Sequence, residues 1–188
     1  MYNEIKQELK SAVETLENIK NIEEIQQVIE FILESYSKNG KVIIFGNGGS
    51  AADSQHVATE LVGRFAKERK GLPAIALTVN TSILTALAND YDFKDVFAKQ
   101  VEALVTPDDV VLAISTSGNS PNILEGVKKA KEIGVKTVGF TGRDGGKLKE
   151  LTDICIKIPS DQCWHIQEGH ITVLHIICKM VEAKIFGK

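Results

Sequence analysis

From residue 41 onward, short apolar runs alternate with helical patterns, and this alternation constrains the fold more than any other feature of the chain. Runs of this length that are apolar throughout are typical of strands buried on both faces of a parallel sheet. Parallel strands need crossover connections, and the helices between the runs supply them. Five such runs are found, at 41–45, 73–78, 109–114, 135–140 and 154–158. The pattern predicts an α/β fold, a three-layer doubly wound sandwich with a five-stranded parallel sheet.

Before the first run, the pattern of residues 3–38 predicts two amphipathic helices. Apolar residues of the first helix recur every three or four positions, at Ile5, Leu9, Val13, Leu16 and Ile19. Asn21, with Glu24 three residues later, predicts a capping box at the start of the second helix. A chain of 188 residues is close to the length of one domain. We expect one domain over 1–188, with 1–38 as an N-terminal helical extension.

Charge and composition exclude several classes of function. The 22 basic residues face 25 acidic ones, and the net charge of −3 gives no general attraction to nucleic acid or to anionic membranes. The N-terminus lacks the charged-then-apolar order of a signal peptide, and no apolar run approaches the ~18 residues of a membrane span. The three cysteines form no CxxC pair and fit a reducing compartment better than a disulfide framework. We expect a cytoplasmic protein with no membrane segment and no nucleic-acid partner.

The first apolar run leads into a glycine-rich loop at 46–50. Ligands of open parallel sheets bind beyond the carboxyl ends of the strands, near the point where the strand order reverses. The loop contains Asn47, Gly48 and Gly49 ahead of a helix, so backbone N–H groups can approach an anion. The dinucleotide fingerprint is incomplete, because position 51 is alanine and no carboxylate ends the second run. A plain turn between strand and helix explains the glycines equally well.

The third run is followed by a segment rich in hydroxyl groups. It carries Ser115, Thr116, Ser117 and Ser120, and Pro121 opens the next helix. Hydroxyls and backbone N–H groups bind phosphate without carrying charge. A helix cap at Ser120 would need only one hydroxyl, so the density of hydroxyls favours anion binding. Together with the glycine loop, this segment predicts a site for a phosphorylated small molecule.

Four side chains on two predicted helices have the chemistry to hold a metal ion. His56 and Glu60 lie four apart on the helix after the glycine loop, which places both on one face. Gln167 and His175 lie eight apart on the last helix, about 80° apart around its axis. Imidazole nitrogens and a carboxylate oxygen suit a zinc-like ion, whereas glutamine is an uncommon ligand. Core hydrogen bonds, a surface contact or a subunit contact are the alternatives.

Four segments of the chain together resemble one known family. They are GNGGSAADSQHVATEL (46–61), AND (88–90), ISTSGNS (114–120) and IQEGH…LH (166–175). They resemble the sedoheptulose-7-phosphate isomerases, also called phosphoheptose isomerases, of the sugar isomerase (SIS) fold group. The resemblance covers nearly the whole chain, and it implies a flavodoxin-like SIS fold. ISTSGNS marks only the broad group, whereas the histidine, glutamate and glutamine pairs are more specific to the isomerases.

The resemblance implies a reaction, a cofactor and an assembly. The reaction converts D-sedoheptulose 7-phosphate into D-glycero-D-manno-heptose 7-phosphate, a first step toward the heptose of surface polysaccharides such as lipopolysaccharide. The assembly is a homotetramer with active sites between subunits, and the cofactor is zinc. By position, Glu60 matches the family's base and His175 its acid, and the zinc ligands match His56, Glu60, Gln167 and His175. The substrate contacts match Asn47, Gly48, Gly49, Glu60, Asn89, Asp90, Ser115, Thr116, Ser117, Ser120 and Gln167.

One position departs from the family pattern. Trp164 stands two residues before Ile166, where some members carry aspartate and others a small residue. A bulky indole there would reshape the sugar pocket. Because of this departure, the sequence indicates the class of reaction more firmly than the exact substrate.

Other SIS proteins suggest alternative functions. A non-catalytic protein that binds a protein partner, of the replication-initiator-associating type, would lack the catalytic pair, yet Glu60 and His175 are both present. Isomerases of other sugar phosphates typically carry extra regulatory domains, for which this chain has no room. A sugar-sensing transcription regulator would need a helix-turn-helix and a basic surface, whereas residues 1–38 are rich in glutamate.

Overall fold

The five predicted strands form one parallel sheet in the order β2-β1-β3-β4-β5. The computed structural model describes residues 1–187. The strands are β1 (Val42–Gly46), β2 (Ala74–Ala76), β3 (Val110–Ile114), β4 (Lys136–Gly142) and β5 (Ile154–Ile158). β1 and β3 are buried along their whole length, as strands covered on both faces should be. The order is that of flavodoxin-like folds, which confirms the predicted class.

Helices cover both faces of this sheet. They are α1 (Tyr2–Glu17), α2 (Ile22–Ser37), α3 (Gly49–Val62), α4 (Thr81–Asp90), α5 (Val96–Leu104), α6 (Pro121–Ile133), α7 (Leu148–Leu151) and α8 (Cys163–Phe186). The helices α2, α3 and α8 form one layer, and α1 contacts α8. The helices α4 to α7 form the other layer. The three-layer prediction is confirmed.

The alternation of side chains along the strands builds the two cores. Val42 and Ile44 of β1 belong to the apolar cluster under α2, α3 and α8. Ile43 and Phe45, one position along, belong to the cluster under α5 and α6. Successive residues of a strand point to opposite faces, so a strand that is apolar throughout serves both cores at once.

The strand order reverses between β1 and β3. The chain leaves β1 into α3 on one face and leaves β3 into α6 on the other face. Gly46 pairs with Ile114 at the ends of the two strands. The glycine loop and the hydroxyl-rich segment therefore start side by side, at the position where ligands of such sheets bind.

Two local predictions differ from the structure. Asn21 precedes α2 but its side chain makes no capping hydrogen bond, because its ψ of 40° is not the extended conformation that capping uses. The second strand is shorter than the apolar run 73–78. The apolar stripe of the predicted amphipathic helix α1 is largely exposed, since Ile5, Leu9 and Val13 are all more than half exposed.

Candidate active site

The glycine loop is tied to α6 by a pair of amide side chains. Asn47 Nδ2 donates to Asn122 Oδ1 at 2.8 Å, and Asn122 Nδ2 donates to Asn47 Oδ1 at 2.8 Å. Asn122 is buried and its Oδ1 also accepts the N–H of Ile123. The reciprocal bonds hold the loop after β1 against the helix after β3. Asn122 was not singled out from the sequence, because a polar residue in a first helical turn carries no distinctive pattern.

Two glycines of the loop have distinct roles. Gly48 has a φ of 55°, which favours glycine, and a Cβ there would meet nothing within 4 Å. The backbone at Gly48 is therefore open to a ligand. Gly49 begins α3 under the amide group of Gln167, and a Cβ at Gly49 would collide with that amide. The structure thus brings two predicted substrate contacts, Gly49 and Gln167, into direct proximity.

The hydroxyl groups after β3 are linked to one another and to their surroundings. Ser115 Oγ donates to Ser120 Oγ at 3.2 Å, and Ser117 Oγ accepts the N–H of Asn119 at 3.2 Å. Thr116 Oγ1 accepts a weak hydrogen bond from Cys163 Sγ at 3.6 Å. Ser120 precedes α6, but its side chain does not cap the helix. Helix capping therefore does not account for this hydroxyl, which remains consistent with anion binding.

A carboxylate and two imidazoles converge between α3 and α8. His56 Nε2 lies 3.2 Å from Glu60 Oε1 and 3.1 Å from His175 Nε2. The ligand atoms of all three residues lie within 4.8 Å of one another. The Glu60 side chain is 22% exposed and that of His56 is 47% exposed, so the group is accessible from solvent. We call this set the His–Glu–His group.

The direction of the two helices explains this convergence. Both follow strands of a parallel sheet on the same face, so α3 and α8 run side by side in the same direction. Gly49 faces Gln167 near their N-terminal ends, and His56 faces His175 further along. The ring of Phe65, after α3, lies 5.9 Å from the ring of His175 and closes one side of the group.

The His–Glu–His group fits a zinc ion by its chemistry. Two imidazole nitrogens and one carboxylate oxygen are ligands that zinc prefers, and catalytic zinc sites use three protein ligands with a further position open. Two Nε2 atoms at 3.1 Å need a shared proton or a shared cation between them. The donor set is therefore one that a divalent cation would stabilise.

Three predicted site residues are not joined to this group in the described part of the chain. Asn89 and Asp90 end α4, where Asn89 Nδ2 donates to Asp90 Oδ1 at 2.8 Å and both side chains face solvent. Gln167 lies against Gly49, two turns of α8 before His175. Within residues 1–187, no hydrogen bond connects any of the three with His56, Glu60 or His175. Their roles stay predictions.

Asp53 is a further carboxylate near this group that the sequence reasoning missed. It lies on α3, one turn before His56 and two turns before Glu60, on the same side of the helix. Burial raises the pKa of Asp53 to about 6, although nearby His56 lowers it. Its Oδ2 atom is buried and has no hydrogen-bond partner among the described residues. A single aspartate in a helical pattern carries no signal that separates it from a solvated residue.

Trp164 is held by the first helix. Its indole N–H donates to Glu8 Oε1 at 2.6 Å. The same Glu8 oxygen lies 3.2 Å from Nε2 of the buried His165, whose Nδ1 is 2.8 Å from Glu168 Oε2. The indole remains 52% exposed. Trp164, the residue that departs from the family pattern, thus forms a contact between α1 and the first turn of α8.

The chain is similar to known proteins in its domain family and along its whole sequence. A family model of the SIS domain matches residues 4–142. The fold and its two loops at the strand reversal define an SIS-domain protein. Phosphoheptose isomerases from Clostridium acetobutylicum and Geotalea daltonii are 50% and 47% identical to the chain, each aligned with 100% of it and with 98% and 99% of their own lengths. The chain belongs to the phosphoheptose isomerase family and is an isomerase.

A solved structure agrees with this assignment. The phosphoheptose isomerase of Neisseria gonorrhoeae matches with a TM-score of 0.92 and 38% identity, over 97% of this chain and 98% of that one. Within residues 1–187, no helix is both long and apolar enough to cross a membrane.

Proposed function

We propose that this isomerase converts D-sedoheptulose 7-phosphate into D-glycero-D-manno-heptose 7-phosphate. The observation that carries the proposal is the convergence of Glu60 and His175, from helices far apart in sequence, in a member of the phosphoheptose isomerase family. A ketose–aldose isomerisation moves a proton between C1 and C2 through an enediolate. It needs one base at carbon and one acid at oxygen, and this pair offers both.

Glu60 is the proposed base and His175 the proposed acid. The Glu60 carboxylate takes the proton from the carbon that bears it in the ketose and returns it to the neighbouring carbon. His175 donates a proton to the C2 oxygen as the enediol forms and accepts the proton of the C1 hydroxyl as the aldehyde forms, so that both residues end in their starting states. Positioned acid–base groups of this kind typically contribute 10²–10⁴-fold each.

The hydroxyl-rich segment is the proposed phosphate site. Ser115, Thr116, Ser117 and Ser120 would donate hydrogen bonds to the phosphate oxygens, together with N–H groups of that loop. Binding energy from the phosphate, remote from the reacting carbons, serves to orient the sugar. The sugar itself would contact Asn47, Gly48, Gly49, Glu60, Asn89, Asp90 and Gln167.

We propose zinc as the metal, held by His56, Glu60, His175 and Gln167. When bound, zinc would supply Lewis-acid polarisation of the sugar oxygens. Glu60 is then proposed both as the base and as a zinc ligand, and a carboxylate that is bound to a metal ion is a weaker base. Of the four, Gln167 lies against Gly49, near the N-terminal ends of α3 and α8.

We also propose a homotetramer with active sites between subunits. Along α8, the residue that touches Thr116 and the acid His175 are twelve positions apart, which is about 18 Å at the rise of a helix. A second copy can bring the phosphate loop of one protomer to the His–Glu–His group of another. The exposed apolar row of α1 offers a surface for such an assembly.

We propose that 1–188 acts as one SIS domain, in which 1–38 is a helical extension that packs on α8 and on the sheet. The cytoplasm is the proposed location. Cys155, Cys163 and Cys178 are all free thiols, a state that a reducing compartment maintains.

The direct test is incubation of the purified chain with sedoheptulose 7-phosphate, followed by product analysis. We expect the heptose 7-phosphate product, loss of turnover after a chelator, and recovery with added zinc. Absence of product from zinc-loaded protein would overturn the assigned reaction. Full turnover after complete metal removal would overturn only the zinc proposal.

A further inference from the structure

Arg69 and Glu182 form a buried ion pair that joins the end of α3 to α8. Arg69 Nε lies 2.8 Å from Glu182 Oε2, and the side chains are 2% and 4% exposed. The Glu182 carboxylate also accepts the backbone N–H groups of Phe65, Ala66 and Lys67 at 3.0–3.1 Å. Burial opposes the charge of Glu182, but these hydrogen bonds outweigh it and lower the pKa of the carboxyl group. The segment after α3 is thus wrapped around one ionised carboxylate.

Arg69 also closes the C-terminal end of α3. Its Nη2 donates to the carbonyl of Glu60 at 2.8 Å, and its Nη1 donates to the carbonyls of Leu61 at 2.8 Å and Gly63 at 3.2 Å. The last carbonyls of a helix lack partners within the helix, and a cation there is favoured by the helix dipole. The guanidinium group therefore holds the turn of α3 that carries Glu60.

The other half of the pair sits on the helix that carries His175. Glu182 follows His175 by seven residues, or two turns, on α8. Phe65, whose N–H donates to Glu182, places its ring 5.9 Å from the ring of His175. A single ion pair thus connects the backbone at Glu60 with the surroundings of His175.

We infer that Arg69 and Glu182 are positioning residues that set the separation of Glu60 and His175 and thereby the geometry of proton transfer. The inference rests on the proposed function of that pair. The planar guanidinium group donates in several fixed directions at once, which a lysine ammonium cannot reproduce. Charge alone therefore does not suffice at position 69.

The test uses Arg69→Lys and Glu182→Gln in the full chain. Each is measured for kcat and KM with sedoheptulose 7-phosphate, normalised to the folded fraction, and for zinc affinity by chelator competition. A small displacement of reacting groups costs far more in rate than in binding. We expect kcat to fall at least about tenfold with KM within about threefold, and zinc affinity to weaken at least about tenfold.

Asp109→Asn is the matched control. The Asp109 carboxylate is also buried, pairs with Lys41 Nζ at 2.7 Å and accepts the N–H groups of Lys41 and Thr106, but it lies immediately before β3. We expect Asp109→Asn to lower the unfolding midpoint while kcat and zinc affinity stay at wild-type values. Wild-type kcat and zinc affinity in the two test variants, or equal losses in Asp109→Asn, would overturn the inference. If the wild type does not turn over this sugar, the proposed function fails and the zinc affinities alone decide the inference.

Discussion

The Nε2 atom of His175 lies 3.1 Å from the Nε2 atom of His56, although the two residues are 119 positions apart. Two neutral rings can meet in this way only if one donates a proton to the other, because two facing lone pairs repel. Glu60 Oε1 is 3.2 Å from the same atom of His56 and adds negative charge beside it. The three residues thus form one unit that is held by short contacts between α3 and α8.

Glu60→Gln tests the base. The substitution keeps the size of the side chain and removes its negative charge, so we expect turnover to be abolished while binding of the sugar phosphate stays detectable, because the hydroxyl-rich segment is intact. Turnover is followed by product analysis and binding by calorimetry. Undiminished turnover in this variant would remove Glu60 from the base role.

Ser120→Ala separates phosphate binding from helix capping. A capping serine typically contributes about 1 kcal/mol, but the Ser120 side chain makes no capping hydrogen bond. We expect the free energy of unfolding to change by less than about 0.5 kcal/mol, while the affinity for the sugar phosphate falls. Urea unfolding and calorimetry measure the two effects. A loss of stability typical of a cap, with unchanged affinity, would contradict this expectation.

Because His170 is buried, we expect the free energy of unfolding to fall in acid. His170 is fully buried, its Nε2 lies 2.9 Å from the carbonyl of Thr141, and burial lowers its pKa from the ordinary 6.5 to about 4. The unfolded chain therefore takes up this proton at a higher pH than the folded chain does. Stability is fully present above pH 6.5 and falls as the pH drops toward 4, by up to about 3 kcal/mol.

His170→Gln is the variant for that measurement. Glutamine keeps an N–H donor and does not titrate, so the difference in unfolding free energy between pH 7 and pH 4.5 should be smaller than in the wild type. Urea unfolding of both proteins at the two pH values gives the comparison. If the wild type and His170→Gln lose the same free energy of unfolding between pH 7 and pH 4.5, groups other than His170 cause the loss.

Leu9→Glu tests the assembly. Leu9 is 66% exposed in the apolar row of α1, and a buried charge at a subunit contact is strongly unfavourable. We expect a smaller particle by light scattering and a loss of turnover, with the helical circular dichroism unchanged. Leu104→Glu, on α5 and 40% exposed, is the control. A tetramer that persists in Leu9→Glu would show that α1 is not part of the interface.

The sheet and its layers could be predicted because each strand carries its own signal. Val42, Ile43, Ile44 and Phe45 are apolar on both faces, and this requires two covering layers. The position of the two loops follows from the fold class, since the strand reversal brings the ends of β1 and β3 together. The pairing of His56 with Glu60 follows from helical spacing alone.

Contacts between distant segments could not be predicted in the same way. Asn47 and Asn122 are 75 positions apart and Arg69 and Glu182 are 113 apart. Each residue is an ordinary polar residue in its local sequence, and only the packing of helices selects its partner. The Asn21 cap failed because the ψ of this residue is 40°, outside the extended conformation of a capping residue, and the local sequence does not reveal that angle.

The contact between Trp164 and Glu8 gives the chain a built-in optical reporter. Trp164 is the single tryptophan of the sequence, and its indole is hydrogen-bonded to the first helix one residue away from the cysteine that touches Thr116. Its fluorescence therefore responds to the docking of α1 and to events at the neighbouring loop without interference from a second indole. Rapid-mixing experiments on the unlabelled enzyme can follow that emission directly.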